Sequence, residues 1–278
     1  MLLRDYFHSA GIELFAYLSA DSLPVIHPHL LRALPDVRTV LFAAIPYHVS
    51  DETSNLAMFA RGQDYHAFAR SLGEGASAIL QTNHPDARSA AFADHSPYNE
   101  VAGAAMAGLG VIGDHGLLIT ERYSSFIFIF EFLTTLSPAE IEAEGIPRGD
   151  GVIRHCEHCG ACTVACPGGC IGQDRATCLS AIGQKKGELS EEEIRLFRSG
   201  KYVWGCDVCA SVCPHTHRAI RAGTIDTPIP YFRENRLSKL TPEAVQSMDE
   251  KAYAAYAFGW RPKETMLRNL RIMEEKND

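Results

Sequence analysis

Hydrophobic and polar positions alternate between two periods along the first half of the chain. After a first helical-looking segment, VRTVLFAAIPYH (37–48) is a β-branched, apolar run ending at Pro46, which predicts a buried strand. In SNLAMFARGQDYHAFARSLGEGASAIL (54–80), Leu56, Phe59, Tyr65, Phe68, Ala69 and Leu72 recur at roughly helical spacing. A polar loop around Asn83, His84 and Pro85 follows, then an Ala-rich helix over 99–108 and two strands, GLLIT (116–120) and SSFIFIFEFL (124–133). This alternation predicts an α/β-layered domain within an α+β chain. PRGDG (147–151) marks a boundary, so the expected division is 1–150, 151–222 and 223–278, the last a proline-rich link and a helical tail.

Composition narrows the class. At 278 residues, 46% hydrophobic and 22% charged, the chain has the make-up of a globular protein able to bury a real core. The longest apolar run is interrupted by Glu131 and is too short to span a bilayer, and the N-terminal stretch does not read as a signal peptide. A cytoplasmic location is expected, where thiols stay reduced and available to metal. Net charge is −8, and residues 1–150 hold 8 Lys/Arg against 18 Asp/Glu. That acidity argues against non-specific nucleic-acid binding, although the C-terminal part has room for a basic patch.

All nine cysteines fall after residue 155. Cys156, Cys159, Cys162 and Cys166, closed by Pro167, give the C-x2-C-x2-C-x3-C-P run of bacterial ferredoxins, in which three thiolates hold one [4Fe–4S] cube and the fourth reaches a neighbouring one. A shorter run, Cys206, Cys209 and Cys213 before Pro214, adds three ligands, and Cys178 lies between the runs. Crossing the ligands as in dicluster ferredoxins assigns Cys156, Cys159, Cys162 and Cys213 to one cube. Cys166, Cys178, Cys206 and Cys209 fall to the other, and Cys170, just after the CPGG turn, is left over. Zinc is the competing reading of paired C-x2-C runs, but zinc sites rarely pack four cysteines so tightly or close them twice with proline. Structural disulfides are disfavoured by the compartment.

Gly108, Gly110 and Gly113 match G-x-G-x-x-G, but a helix precedes them and a strand follows, the reverse of a dinucleotide site. A helix C-cap and tight turn account for them, and the uncovered backbone also lets a cofactor or substrate approach.

ARGQDYH (60–66), DHSPYNE (94–100), AGLGVIGDHGLLI (107–119), the CP-terminated cysteine runs, YVWGCDVCASVCP (202–214) and MLRNL (266–270) together resemble the epoxyqueuosine reductase family, iron–sulfur and cobalamin-dependent enzymes of queuosine tRNA modification. The resemblance implies a cobalamin-binding, nitroreductase-related N-terminal domain beside a dicluster ferredoxin-like domain. Electrons from an external flavodoxin or ferredoxin pass through the cubes to cobalt, and the epoxide oxygen leaves as water. It also implies that Asp94 is the proton donor, that Arg61, Asp64, Tyr65 and His66 lie against the cofactor, and that Ser96, Gly108, Gly110, Gly113 and His115 complete that surface. Read alone, Asp94 is a loop residue in an Asx-turn, Tyr65 a core residue, Arg61 a solvated charge, and His66 and His115 ordinary surface or loop histidines.

The sequence also departs from the family pattern. Asp114 replaces a common lysine, Val101 replaces an arginine, and the chain stops nine residues after Asn269, where family members continue into a helical repeat domain that helps hold tRNA. These features, with the acidic first half, weaken the expectation of a polyanionic substrate and leave room for a paralogue acting on a small molecule. An electron-transfer protein serving a partner enzyme is the alternative from another class.

Overall fold

The computed structural model describes residues 1–51 and 53–275. Its contacts form two compact units, Met1–Pro46 with Tyr65–Glu157, and Tyr47–Asp64 with His158–Asp278. This differs from the expected three-part division: residues 47–64 leave the first half, and the tail beyond 222 has no separate core.

The first unit is built on an antiparallel sheet. Strands β1 (Leu14–Ser19), β2 (Thr39–Pro46), β3 (Ser89–Phe92) and β6 (Ile127–Thr134) lie in the order β1-β2-β6-β3, and a small ribbon pairs β4 (Val111–Ile112) with β5 (Leu118–Ile119). Every residue of β2 is buried because helices cover both faces of the sheet. On one face Ala16, Leu18, Val40, Phe42 and Leu133 pack against Ala104 and Ala105 of α3 (Glu100–Met106). Gly103 permits this approach, since a side chain there would meet the Phe42 ring at 2.3 Å. On the other face α1 (Leu3–Ser9) sets Phe7 edge-on to Phe130, with ring centres 6.4 Å apart, and α2 (Tyr65–Asn83) lies over β3 and β6.

The helix expected over 54–80 begins only at Tyr65. Leu56 and Ala60 keep their apolar spacing but bury in the second unit, with Val203, Trp204, Phe258, Met266 and Leu270. The short strands β1 and β3 have no counterpart in the sequence reading. Helix α4 (Pro138–Ala143), with a Ser137–Glu140 capping box, completes the first unit.

The second unit is a set of short helices, among them α5 (Ala161–Ala165), α6 (Leu179–Gly183), α7 (Glu191–Arg198), α8 (Val208–Ser211) and α9 (Pro214–Arg221). The C-terminal helix Lys263–Glu274 ties them together. From it Asn269 Nδ2 donates to Gly183 O (2.8 Å) and Val203 O (2.9 Å), while Arg268 donates to the carbonyls of Gly183, Lys185 and Gly187. The MLRNL motif thus closes the carbonyl end of α6, where a cation also favours the helix dipole.

Candidate active site and cluster ligands

In the first unit the loop after β3 turns at Asp94, which takes a left-handed φ of +69° that Asp tolerates better than most residues. The turn presents a carboxylate 56% exposed, within reach of solvent or a ligand. Tyr65 Oη, from the first turn of α2, donates to Asp94 Oδ2, and His66 Nε2 stands 3.4 Å from the same oxygen. The Tyr65 ring is clamped by stacking on Phe128 of β6 (centroids 3.9 Å apart) and on His66 (4.1 Å). A cavity of about 560 Å³ opens between α2 and β3, lined in part by His66, Arg70, Gly73, Phe92 and His95. Its size falls within the range of small-molecule sites.

Two further carboxyls stand behind Asp94, both missed by the sequence reading. Glu131 lies opposite Phe42 in the sheet register, fully buried on the face covered by α3, and Glu100 opens that helix. Burial, reinforced by the Asp94 charge, pushes the Glu100 carboxyl up to about 8, although a hydrogen bond to the Asp94 backbone opposes the rise. Burial likewise pushes Glu131 up to about 8, eased by the Ser96 hydroxyl and raised by Glu100. Neither oxygen of Glu131 meets a partner with hydrogen-bond geometry, and Ser96 Oγ donates to Tyr98 O at 2.9 Å. The only signal in the sequence was a lone acid inside FIFIFEFL.

The glycine turn follows α3. Gly108 takes φ +81° with nothing within 4 Å of an added side chain, whereas Gly110 is required by a close approach, its space filled by Ile119 O at 2.3 Å. At Gly113 that space is filled by the His115 ring, 2.5 Å away, and His115 Nδ1 accepts from Leu117 N at 3.2 Å. Of the three, only Gly108 has open space where a side chain would stand, although its N–H is spent on Ala105 O (2.9 Å). From the same ribbon Ile112 O accepts from Cys156 N at 3.0 Å.

The RGQDYH stretch is divided between the units. Tyr65 and His66 meet Asp94, while Arg61 and Asp64 belong to the second unit. There Arg61 is buried, with Nη1 donating to Asp51 Oδ1 (2.7 Å) and Nε to Leu56 O (3.1 Å), so its charge is paired. Asp64 N donates to Ala255 O (2.8 Å), and Asp64 O accepts from Tyr231 Oη (2.9 Å).

Within the second unit, which holds all the cysteines but Cys156, α5 packs on α8 and draws Cys159, Cys162 and Cys166 toward the second run. The CPGG turn lies against the segment before α6, and Gly168 is required because a side chain there would strike Thr177 O at 1.9 Å. Cys178 stands at the N-cap position of α6, and Cys213 at that of α9, with Pro214 in its first turn. Burial pushes the Cys206 thiol up to about 11 and Cys209 up to about 12, and in both the negative charges of Cys178 and Cys166 add to the rise. Four half-buried sulfurs that cannot share negative charge alone suit a site completed by metal, because ligation needs thiolates. Cys170 is drawn in too: its Sγ lies 3.6 Å from Cys166 Sγ, and Cys178 is near enough for its charge to bear on it. Cys162 and Cys213 are buried and Cys159 is exposed. Asp207, inside the second C-x-x-C, is a further addition: it accepts from Met58 N at 2.6 Å, and burial pushes its carboxyl up to about 6.

Comparison with known proteins agrees with this construction. Residues 155–216 match the 4Fe–4S double cluster binding domain family. The epoxyqueuosine reductase of Gloeobacter violaceus is 28% identical over 239 residues, covering 82% of this chain and 72% of that protein. That of Bacillus subtilis is 28% identical over 284 residues, covering 92% and 68%. The solved epoxyqueuosine reductase of Streptococcus thermophilus superposes with a TM-score of 0.75 at 21% identity, covering 99% of this chain and 80% of that one. An epoxyqueuosine reductase solved with an epoxyqueuosine-modified tRNA stem loop gives a TM-score of 0.75 at 20% identity, covering 98% and 79%. No helix among the described residues is long and apolar enough to cross a membrane. In its ordered motifs, its sequence and its fold, the chain is similar to the epoxyqueuosine reductases over most of its length.

Proposed function

We propose that this protein is an iron–sulfur, cobalamin-dependent reductase that removes the epoxide oxygen of epoxyqueuosine in tRNA. The observation that carries the reading is the presence, in one chain, of a double-cluster domain and an accessible Asp94 carboxylate held between Tyr65 and His66. Cys156, Cys159, Cys162 and Cys213 are assigned to one cube and Cys166, Cys178, Cys206 and Cys209 to the other. The first unit is assigned the corrinoid and the substrate, in a nitroreductase-related fold. Ser125 Oγ, buried without a hydrogen-bond partner, suits a corrinoid, whose rim carries amides able to use it, and the open space at Gly108 lets such a group approach. His115, Tyr65 and His66 lie on the same unit and would face it.

Turning the epoxide into an alkene breaks both carbon–oxygen bonds and consumes an electron pair and two protons, the oxygen leaving as water. When bound, the cobalamin and clusters would supply the electrons, drawn from an external flavodoxin or ferredoxin in the cytoplasm. The chain's own residues manage the proton. Asp94 is placed to deliver it from its carboxyl, Tyr65 fixes Oδ2 by hydrogen bonding, and His66 is placed to return a proton to the carboxylate left behind. Asp94→Asn keeps the shape and removes the acid. Under anaerobic turnover with reconstituted enzyme and epoxyqueuosine-containing tRNA, it is expected to lose about 100-fold or more in rate with substrate binding intact. An unchanged rate removes Asp94 from the chemistry. A wild-type protein that passes electrons but never deoxygenates the nucleoside is an electron carrier instead.

A further inference from the structure

Five thiols meet where a cube takes four. Cys166, Cys170, Cys178, Cys206 and Cys209 interact with one another through hydrogen bonds or charge, and all belong to the second unit. One pair stands out by its spacing, Cys166 Sγ and Cys170 Sγ at 3.6 Å. Ligands to different irons of a cube project outward from its corners and are much farther apart than a hydrogen-bonded sulfur pair. Of these two, one ligates and the other hydrogen-bonds.

Local structure says which. Cys166 ends α5 directly before Pro167, at the position from which the crossed ligand of a dicluster run departs. Cys170 is 7% exposed, its carbonyl tied to Gln173 N (3.1 Å), in a turn that Gly169 N closes on Cys166 O (3.0 Å). Cys178, its other sulfur neighbour, sits at the N-cap of α6, whose far end is secured by Asn269 and Arg268. A ligand on an anchored helix start and a donor in a short turn is the arrangement the backbone favours.

We propose that Cys170 is a non-ligating thiol that donates an S–H···S hydrogen bond to the Cys166 ligand sulfur and thereby raises the reduction potential of the second cube. This rests on the cluster assignment above. Hydrogen bonds to cluster sulfurs are among the determinants of potential, and such a bond strengthens as reduction adds negative charge to the sulfurs, so the reduced state gains more.

The test is an EPR-monitored redox titration of the reconstituted full chain, with iron analysis on the same samples. Cys170→Ala is expected to retain the full iron content of both cubes while the midpoint of one falls by roughly tenfold in its reduction equilibrium, about 59 mV for a one-electron couple. Cys170→Ser, which restores an O–H donor, is expected to return part of the shift and serves if the alanine variant fails to fold. Cys178→Ala is expected to lose one cube. Unchanged midpoints in the Cys170 variants, loss of a cube from them, or retention of both cubes by Cys178→Ala would each overturn the proposal. A wild-type chain that binds no cubes fails the cluster assignment itself, a different result.

Discussion

Glu131 is the residue whose environment departs most from its chemistry: an acid at 0% exposure in the middle of an apolar strand, with both oxygens unpartnered. With the carboxyl raised from 4.5 to about 8, the unfolded chain releases its proton first as pH climbs, while the folded chain keeps it. The folded state binds more protons between those limits, so stability falls as pH rises from about 4.5 to 8 and levels off above. Glu131→Gln is neutral throughout. Thermal melts should show a flatter profile over that interval and a more stable variant at its alkaline end, by about 1.4 kcal/mol for each pH unit of the shift removed. An unaltered profile would mean that the carboxyl is not held neutral by burial. At this scale the cysteine spacings were legible because ligand geometry is local to the chain. Cys170 and Glu131 were not, because what defines them is the neighbours that the fold supplies.

At the scale of elements, the short helices α5 and α8, of five and four residues, are below the length at which a helix holds alone, so their stability comes from what they pack against. Removing iron should therefore expose residues 155–216 to limited proteolysis while the sheet of the first unit stays protected. Equal protection with and without iron would show that the thiol loops are ordered without metal. Asn269 offers a second probe, since its amide bonds two buried carbonyls on separate segments. Asn269→Ala should cost about 2–3 kcal/mol in denaturant unfolding and loosen the helix that starts at Cys178. A loss below about 0.5 kcal/mol would remove that role. Long periodic elements such as β2, β6 and most of α2 could be read from the pattern. The start of α2 could not, because Leu56 and Ala60 keep helical spacing while packing into another core, and β1 and β3 are too short for a period to register.

For the whole molecule, the chain leaves its first unit at Tyr47 and returns at Tyr65, so the units cannot be separated by one cut near residue 150 without stranding Leu56 and Ala60, which bury beside Trp204. Residues 1–150 carry ten more acidic than basic side chains, so under the proposed function the phosphates of a tRNA would be met chiefly by cations elsewhere, among which residues 215–278 hold 11 Lys/Arg. Under the proposed function a corrinoid takes up the electrons for the Tyr65–Asp94–His66 site of the first unit, and every cysteine but Cys156 belongs to the second. The most direct measurement is anaerobic titration of the cluster-loaded chain with cobalamin, followed by its absorbance. Saturable binding of one corrinoid per chain is expected, with cobalt reduced when electrons are supplied through the clusters. A chain that holds both cubes yet binds no corrinoid would contradict it.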